Sequence, residues 1–229
     1  MSRTAKRNAG AQTRAGRSPL RPWLGIGLLA ALVATAAPGR AETPGEPDYA
    51  RTGFHLGLGG AYAFENFDYD IGSLDVETAF PPGSSGIDPG LDDSAGIDVR
   101  IGYRLHERYD LALLYEWLEG FDSTRTSPPL ELDTHLLTLD SRFFCLTGRT
   151  QPYALVGLGI LIVNTEIVAS SFAKPFDVNV GFAARFGAGV DFYLTRGWLF
   201  GLEGSYVVPT GPVEKADYGT LGFKFEHRF

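Results

Sequence analysis

Apolar residues alternate with polar or small residues along most of this chain, and this period-two pattern is the feature that most limits its fold. The clearest example covers residues 178–194, where Phe182 and Phe186 share one face and Arg185 and Asp191 lie on the other. Successive side chains of a β-strand point to opposite faces of the sheet, so strict alternation predicts strands with two different surroundings. The pattern therefore predicts an all-β fold.

Eight segments show the alternation, near residues 52–64, 95–105, 108–118, 133–146, 152–163, 178–194, 198–208 and 221–229. The connections between them alternate in length: long ones cover about 65–93, 119–131, 164–176 and 209–216, and short ones fall at 105–107, 147–150 and 195–197. An even number of strands, with long loops on one side and tight turns on the other, is typical of an outer-membrane barrel. Each segment reaches the roughly 9–11 residues that a tilted strand needs to cross a bilayer. These features predict an eight-stranded antiparallel up-and-down transmembrane β-barrel over residues 52–229.

The first 41 residues have the character of an export signal. They carry seven basic residues and no acidic one, and an apolar run from Trp23 to Ala37 follows the basic region. This order of basic, apolar and small residues predicts a secretory signal peptide over 1–41, cleaved after Ala41, with 42–51 as a periplasmic lead. Its removal takes away seven of the 20 basic residues and none of the 27 acidic ones, which leaves a net charge of −14. The apolar run is shorter than the roughly 20 residues of a transmembrane helix, which makes a membrane anchor the weaker alternative.

A soluble β-sandwich or a lipocalin-like barrel is the main alternative to a membrane barrel. Two observations favour the membrane barrel. Aromatic residues lie near the strand ends of the apolar faces, as at Tyr62, Trp117 and Trp198, which is where interfacial girdles occur. The opposite faces are rich in glycine and alanine, which suits the narrow interior of a small barrel.

The polar faces carry charges of both signs that would meet inside such a barrel. The predicted interior network consists of Asp98, Arg100, Arg104, Asp110, Glu116, Asp140, Arg142, Arg185, Asp191, Glu203, Lys224, Glu226 and Arg228. Arg108 is assigned to the same face. An unpaired buried charge is costly, so we expect these side chains to pair with one another and fill the lumen. A gated polar channel is the alternative, but an eight-stranded barrel is only about wide enough for its own side chains.

Three segments of this sequence resemble the OmpA-like family of small bacterial outer-membrane β-barrels: 152–159, 181–194 and 221–229. The resemblance covers roughly 52–229 and implies the eight-stranded barrel and a Gram-negative outer-membrane location. The resemblance says little about activity, because the family includes anchors, adhesins, small pores and a few lipid-modifying enzymes. The C-terminal Phe229, preceded by alternating apolar residues, looks like the signal that the barrel-assembly machinery reads.

The sequence offers little support for catalysis or for a cofactor. His135 is the one histidine near the predicted outer rim, with Asp133, Thr134 and Ser127 close in sequence, but an ordinary interfacial histidine is the favoured interpretation. The single cysteine, Cys145, excludes an internal disulfide and any Cys-based metal cluster. We therefore expect no catalytic, cofactor-binding or metal-binding residues, and the acidic balance disfavours nucleic acid as a partner.

The segment 65–93 carries eight acidic residues and no lysine or arginine. Divalent-cation binding that bridges to lipopolysaccharide is one interpretation, but a solvated acidic loop is favoured because the spacing does not match an EF-hand. The sequence as a whole predicts a barrel with a structural or surface-interaction role, a plugged lumen and loops that carry any extracellular ligand. A narrow porin-like channel is the second hypothesis and a lipid-modifying enzyme the third. Outer-membrane lipid and lipopolysaccharide are the expected surroundings.

Overall fold

The computed structural model describes residues 48–65, 92–122, 130–167 and 177–229. Within them, the chain forms eight strands: β1 Gly53–Glu65, β2 Ser94–His106, β3 Tyr109–Asp122, β4 Leu130–Phe144, β5 Thr150–Ile167, β6 Asp177–Tyr193, β7 Trp198–Pro209 and β8 Tyr218–Arg228. Each strand pairs antiparallel with the next, and β8 returns to pair with β1, so the sheet closes on itself. The predicted eight-stranded up-and-down barrel is thereby confirmed.

The connections divide the barrel into two different ends. The turns between β2 and β3, β4 and β5, and β6 and β7 are short and lie with residues 48–52 and Phe229 at what we call the turn end. The four longer connections lie at the opposite end, called the loop end. Several predictions concern residues outside the described part of the chain: the signal peptide 1–41, residues 42–47 of the lead, and 66–91, 123–129 and 168–176 of the long loops.

The outward face of the barrel is apolar. Large hydrophobic side chains are exposed along the strands, for example Leu58 at 60%, Leu158 at 67% and Phe182 at 76%. The residues between them face inward and are buried, as Arg185 is at 3%. A water-soluble barrel would place these faces the other way round, whereas a closed sheet in hydrocarbon satisfies its backbone internally and turns its apolar side chains to lipid. In the described part of the chain, no helix has the length and apolar character needed to cross a membrane.

Aromatic side chains form a belt on the outward face at each end. At the turn end, Phe54 packs on Tyr103 with ring centroids 4.7 Å apart, and Trp198 packs on His227 at 4.6 Å. At the loop end, His135 stacks on Trp117 with centroids 6.2 Å apart. Amphipathic rings of this kind settle at the level of the lipid headgroups. The two belts therefore mark the two membrane interfaces.

A bulge in β3 changes which residues face inward near the loop end. The β3–β4 register shifts between Leu118 and Phe121, and Gly120 has a φ of 81°, a left-handed conformation that glycine adopts without a steric penalty. Its amide donates to Asp133 Oδ1 at 3.1 Å. As a result, Leu118 and Phe121 are both fully buried, although simple alternation would place them on opposite faces.

Candidate functional site: the barrel lumen

The lumen is the part of the molecule where ionisable side chains converge. All thirteen residues of the predicted interior network are buried on the inward face, none more than 8% exposed. Six are cationic and seven are acidic. Arg108 was wrongly assigned to this face, because β2 ends at His106 and Arg108 is an exposed residue of the following turn.

Glu203 is the hub of a cluster halfway along the lumen. Arg100 holds its carboxylate with two parallel hydrogen bonds, Nη2 to Oε1 at 2.8 Å and Nη1 to Oε2 at 3.0 Å. Arg185 Nη2 adds a third at 2.8 Å, and the Tyr153 hydroxyl donates a fourth at 2.6 Å. Arg185 also reaches Asp140 through Nη1 at 2.6 Å. This set, which we call the Glu203 cluster, connects β2, β4, β5, β6 and β7 across the interior, and bidentate charge-assisted contacts are among the strongest polar contacts in proteins.

Arg142 is the hub of a second cluster, closer to the turn end. Its guanidinium contacts Asp110 Oδ1 from Nη2 at 2.9 Å and Glu226 Oε2 from Nη1 at 3.2 Å. His55 lies between the same two carboxylates, with Nε2 2.9 Å from Asp110 Oδ2 and Nδ1 3.3 Å from Glu226 Oε1. Lys224 Nζ joins through Asp191 Oδ1 at 3.0 Å. This Arg142 cluster ties β8 and β1 to β3 and β4, and so connects strands on both sides of the β1–β8 seam.

Glycines on the inward face make room for these long side chains. A Cβ at Gly201 would lie 2.5 Å from Lys224 Cε and 2.7 Å from Asp191 Oδ1, so these two side chains would have to move to admit it. The abundance of glycine on the polar faces therefore follows from the width of the barrel, since two facing side chains cannot both be large where a charged one crosses the axis.

Aromatic and cationic side chains close the lumen at the turn end. The Arg104 guanidinium lies 4.1 Å from the centre of the Phe144 ring and donates to Gln151 Oε1 at 2.7 Å. Tyr49, in the segment before β1, covers Tyr193 with ring centroids 5.2 Å apart. The lumen is thus covered by side chains before it reaches the turns.

An apolar cluster fills the loop-end half of the lumen. We call it the loop-end plug; its members are Ala61, Ala63, Leu118, Phe121, Leu132, Leu136, Leu161, Val163, Ala183, Val207, Val213, Ala216 and Tyr218. Val213 and Ala216 come from the β7–β8 connection, where a short 3₁₀ helix, Gly211–Val213, turns the chain into the barrel mouth. The Tyr218 hydroxyl donates to Glu116 Oε1 at 3.1 Å and joins the plug to the charged interior.

The loop-end plug is not predictable from the sequence for two reasons. Leu118 and Leu136 lie on faces that are otherwise polar, so the alternation predicts that they point inward but not that they pack together in one cluster. Val213 belongs to a segment read only as a loop, and nothing in its local pattern indicates that it turns inward. The cavity between the plug and the Glu203 cluster has a volume of only about 10 Å³, which is room for about one water molecule.

His135 lies on the lipid-facing surface. Its Nδ1 is 2.9 Å from the Tyr115 hydroxyl, and its ring stacks beside Trp117 in the loop-end belt. Thr134 points into the lumen and is 1% exposed, and Asp133 accepts the Gly120 amide. The structure therefore does not join His135 to Asp133 and Thr134, while Ser127 lies outside the described residues.

Comparison with known proteins agrees with this architecture. Residues 26–229 match the family model of the outer membrane protein beta-barrel domain. No curated protein matches the sequence closely enough to count as a relative. Among solved structures, Neisserial surface protein A (NspA) superposes with a TM-score of 0.51 at 14% identity, covering 78% of this chain and 99% of that one.

Two further solved structures have lower TM-scores. Ail, the attachment invasion locus protein of Yersinia pestis, gives 0.47 at 13% identity, over 78% of this chain and 97% of that one. OprG of Pseudomonas aeruginosa gives 0.44 at 15% identity, over 77% and 96%. The family match covers the whole described barrel and agrees with its apolar outward face and aromatic belts. The chain therefore belongs to the outer membrane protein beta-barrel domain family and is an outer-membrane protein.

Proposed function

We propose that this protein is a sealed barrel with a structural and surface-interaction role, and that it is not a solute channel. The observation that carries the proposal is the filling of the lumen by consecutive layers. The Arg142 cluster, the Glu203 cluster and the loop-end plug follow one another along the axis, and the cavity between the last two holds only about 10 Å³.

The Glu203 cluster and the loop-end plug obstruct a hydrated ion in different ways. To pass the Glu203 cluster, an ion would have to separate contacts of 2.6–3.0 Å between buried groups. Such contacts are strong in a low-dielectric interior, because little water is present to replace them. To pass the plug, the ion would have to shed its water among leucine, valine and phenylalanine side chains, which offer no compensating polar group.

Single-channel recording in planar bilayers tests the sealed lumen. We expect refolded protein to give no reproducible conductance steps above a protein-free bilayer, while gel migration before and after heating shows that it is folded. Steps of uniform size, whose frequency increases with the amount of folded protein, would establish the channel hypothesis instead.

With the lumen sealed, the loop end is the part of the chain left to contact partners outside the cell. Orientation in the membrane is the first requirement of this role, and cysteine labelling measures it. Cys145 is exposed in the β4–β5 turn at the turn end, so a membrane-impermeant maleimide should reach it only after the outer membrane is permeabilised. A Ser84→Cys variant in a Cys145→Ser background carries its thiol in the segment 66–91 and should label on intact cells. The opposite labelling pattern would rule out the surface role of the loop end.

Assembly through the C-terminal residue belongs to the same proposal. The Phe229 amide donates to Phe54 O at 2.9 Å, and its side chain is 67% exposed on the outside of the barrel. The ring packs on His227 with centroids 4.6 Å apart, but most of the residue is exposed, and we expect the barrel-assembly machinery to reach it before insertion. We expect deletion of Phe229 to lower the folded fraction in cells while leaving refolding of purified protein in detergent nearly unchanged. Equal losses in both settings would assign Phe229 a purely structural role.

A further inference from the structure

Arginines surround the turn end of the barrel at regular intervals. Arg108, Arg149 and Arg196 lie in the three short turns, and Arg51 lies just before β1. Because the turns join β2 to β3, β4 to β5 and β6 to β7, and Arg51 lies next to the β1–β8 seam, the closed strand order puts one arginine in each quarter of the ring. We call these four residues the arginine ring.

The arginine ring lies at the surface of the turn end, and Arg51 is its least accessible member. The three turn arginines are exposed, and Arg51 is half-buried with its Nη2 donating to Arg228 O at 2.9 Å. Arg149 donates to Tyr193 O from Nε at 2.8 Å, which fixes the side chain while leaving both terminal nitrogens for another partner. Among the residues that the structure describes, no ion pair joins any of the four to a carboxylate.

The opposite end of the barrel has the reverse charge. Its described rim carries the carboxylates of Asp92, Asp93, Glu119, Glu131, Asp133, Glu214 and Asp217, against the single cation of Lys215. At the turn end, the exposed carboxylates of the described chain are Asp48 and Glu107. This difference gives the two membrane interfaces opposite electrostatic character, so an anionic ligand is attracted to the turn end.

The turn-end aromatic belt fixes the depth of the arginine ring. Tyr109 packs on Phe143 at 5.1 Å, and Trp198, His227 and Phe229 pack in series at 4.6 Å, all on the outward face next to the turns. Such belts lie at the headgroup level, so Arg108 and Arg196, one and two residues beyond Tyr109 and Trp198, lie at the depth of the lipid phosphates. The planar guanidinium donates to phosphate oxygens in pairs, and its charge is retained at any physiological pH.

We propose that the arginine ring binds the phosphate groups of anionic phospholipids in the membrane leaflet that faces the periplasm. The short turns of outer-membrane barrels lie on the periplasmic side, so the leaflet around the ring is the inner one. A phospholipid fits better than a soluble anion, because its acyl chains pack on the apolar wall beside the belt while its phosphate meets the arginines. Each arginine near an anionic surface strengthens the attraction about fivefold.

The test compares lipid selectivity in reconstituted vesicles. Full-length barrel in phosphatidylcholine vesicles is titrated with spin-labelled phosphatidylglycerol or spin-labelled phosphatidylcholine, and the motionally restricted fraction gives the relative association constant. We expect wild type to prefer phosphatidylglycerol by about threefold or more at low salt. We expect the Arg108→Gln/Arg149→Gln/Arg196→Gln variant to lose this preference. Lys215→Gln, which removes a cation from the loop end, is the matched control and should keep it.

Each outcome supports or overturns the proposal. Loss of preference in the triple variant with retention in the control supports it. Absence of a preference in wild type, or an equal preference in the triple variant, overturns it. If the triple variant does not fold, the preference for phosphatidylglycerol is measured for Arg196→Gln and for wild type at increasing salt. A preference that falls in both measurements supports the proposal and an unchanged preference overturns it, since a phosphate contact weakens as salt is raised and an apolar lipid contact does not.

Discussion

Removal of the Arg185 guanidinium tests whether the charged lumen stabilises the barrel through paired charges. Arg185→Leu takes from Asp140 its contact at 2.6 Å, and no other ion pair to this fully buried carboxylate is present among the described residues. Glu203 keeps two bonds from Arg100 and one from Tyr153. Most of the expected loss of stability therefore comes from Asp140, whose carboxylate is left buried and unpaired.

The expected loss of unfolding free energy can be estimated from the effect on Asp140 alone. Breaking a buried ion pair by removing one partner destabilises a protein by about 3–5 kcal/mol, mostly because the other charge remains in place. Asp140→Asn in the same chain makes the stranded group neutral without changing its size. An unsatisfied neutral group costs about 1–3 kcal/mol, so the Arg185→Leu/Asp140→Asn variant should be more stable than Arg185→Leu by about 1–2 kcal/mol.

Urea unfolding in lipid vesicles measures these differences through tryptophan fluorescence, because Trp117 and Trp198 lie in the two belts. Phe186→Leu, at the neighbouring position that faces lipid, is the control and should change the unfolding free energy by less than about 1 kcal/mol. The reasoning is refuted if Arg185→Leu is within about 1 kcal/mol of wild type, or if adding Asp140→Asn makes it less stable.

Three further changes probe other parts of the barrel. Tyr153→Phe removes the 2.6 Å hydrogen bond to Glu203 and should cost about 1–3 kcal/mol by the same unfolding assay, less than Arg185→Leu because two arginines remain on the carboxylate; an equal cost would contradict this ranking. Even a Cβ at position 181 would collide with Thr210 O and Val213 Cγ2, so Gly181→Val should displace the 3₁₀ helix. Amide hydrogen exchange should then accelerate in residues 211–216 but not in β5, and unchanged exchange would show that the 3₁₀ helix tolerates the substitution. Phe186→Arg puts a charge on the lipid-facing wall and should destabilise the barrel by about 2–4 kcal/mol in vesicles, whereas a neutral result would place Phe186 outside the hydrocarbon region.

The alternation of residues was sufficient to predict the strands and the face of each one. Side-chain direction in a strand depends only on the parity of the position, so a local pattern carries the information. The inward position of Arg185 and the outward position of Phe182 could therefore be predicted from their own segment. Closure by β8 on β1 was also predictable, since a spanning sheet cannot leave an edge unpaired in lipid.

Features that break the parity or depend on distant residues could not be predicted. Phe121 is buried because the bulge at Gly120 shifts the register by one residue. Glycine occurs at many positions of these strands, so its presence at 120 does not by itself predict a bulge. The pairing of Arg100 with Glu203 joins residues 103 positions apart, and it depends on the stagger of strands around the whole barrel. Arg108 was placed wrongly because alternation alone does not show where a strand ends and a turn begins.

The seam between the first and last strands has a consequence for biogenesis. β1 pairs with β8 from His55↔Arg228 to Glu65↔Tyr218, so the edge of β1 that does not face β2 has no partner until β8 has been synthesised. Strands that follow one another can pair as they emerge, but the ring cannot close before β8 has been made. Any part of the chain that leaves the cytoplasm before β8 is made therefore travels in an unclosed form, and the cylinder can arise only once β8 is present.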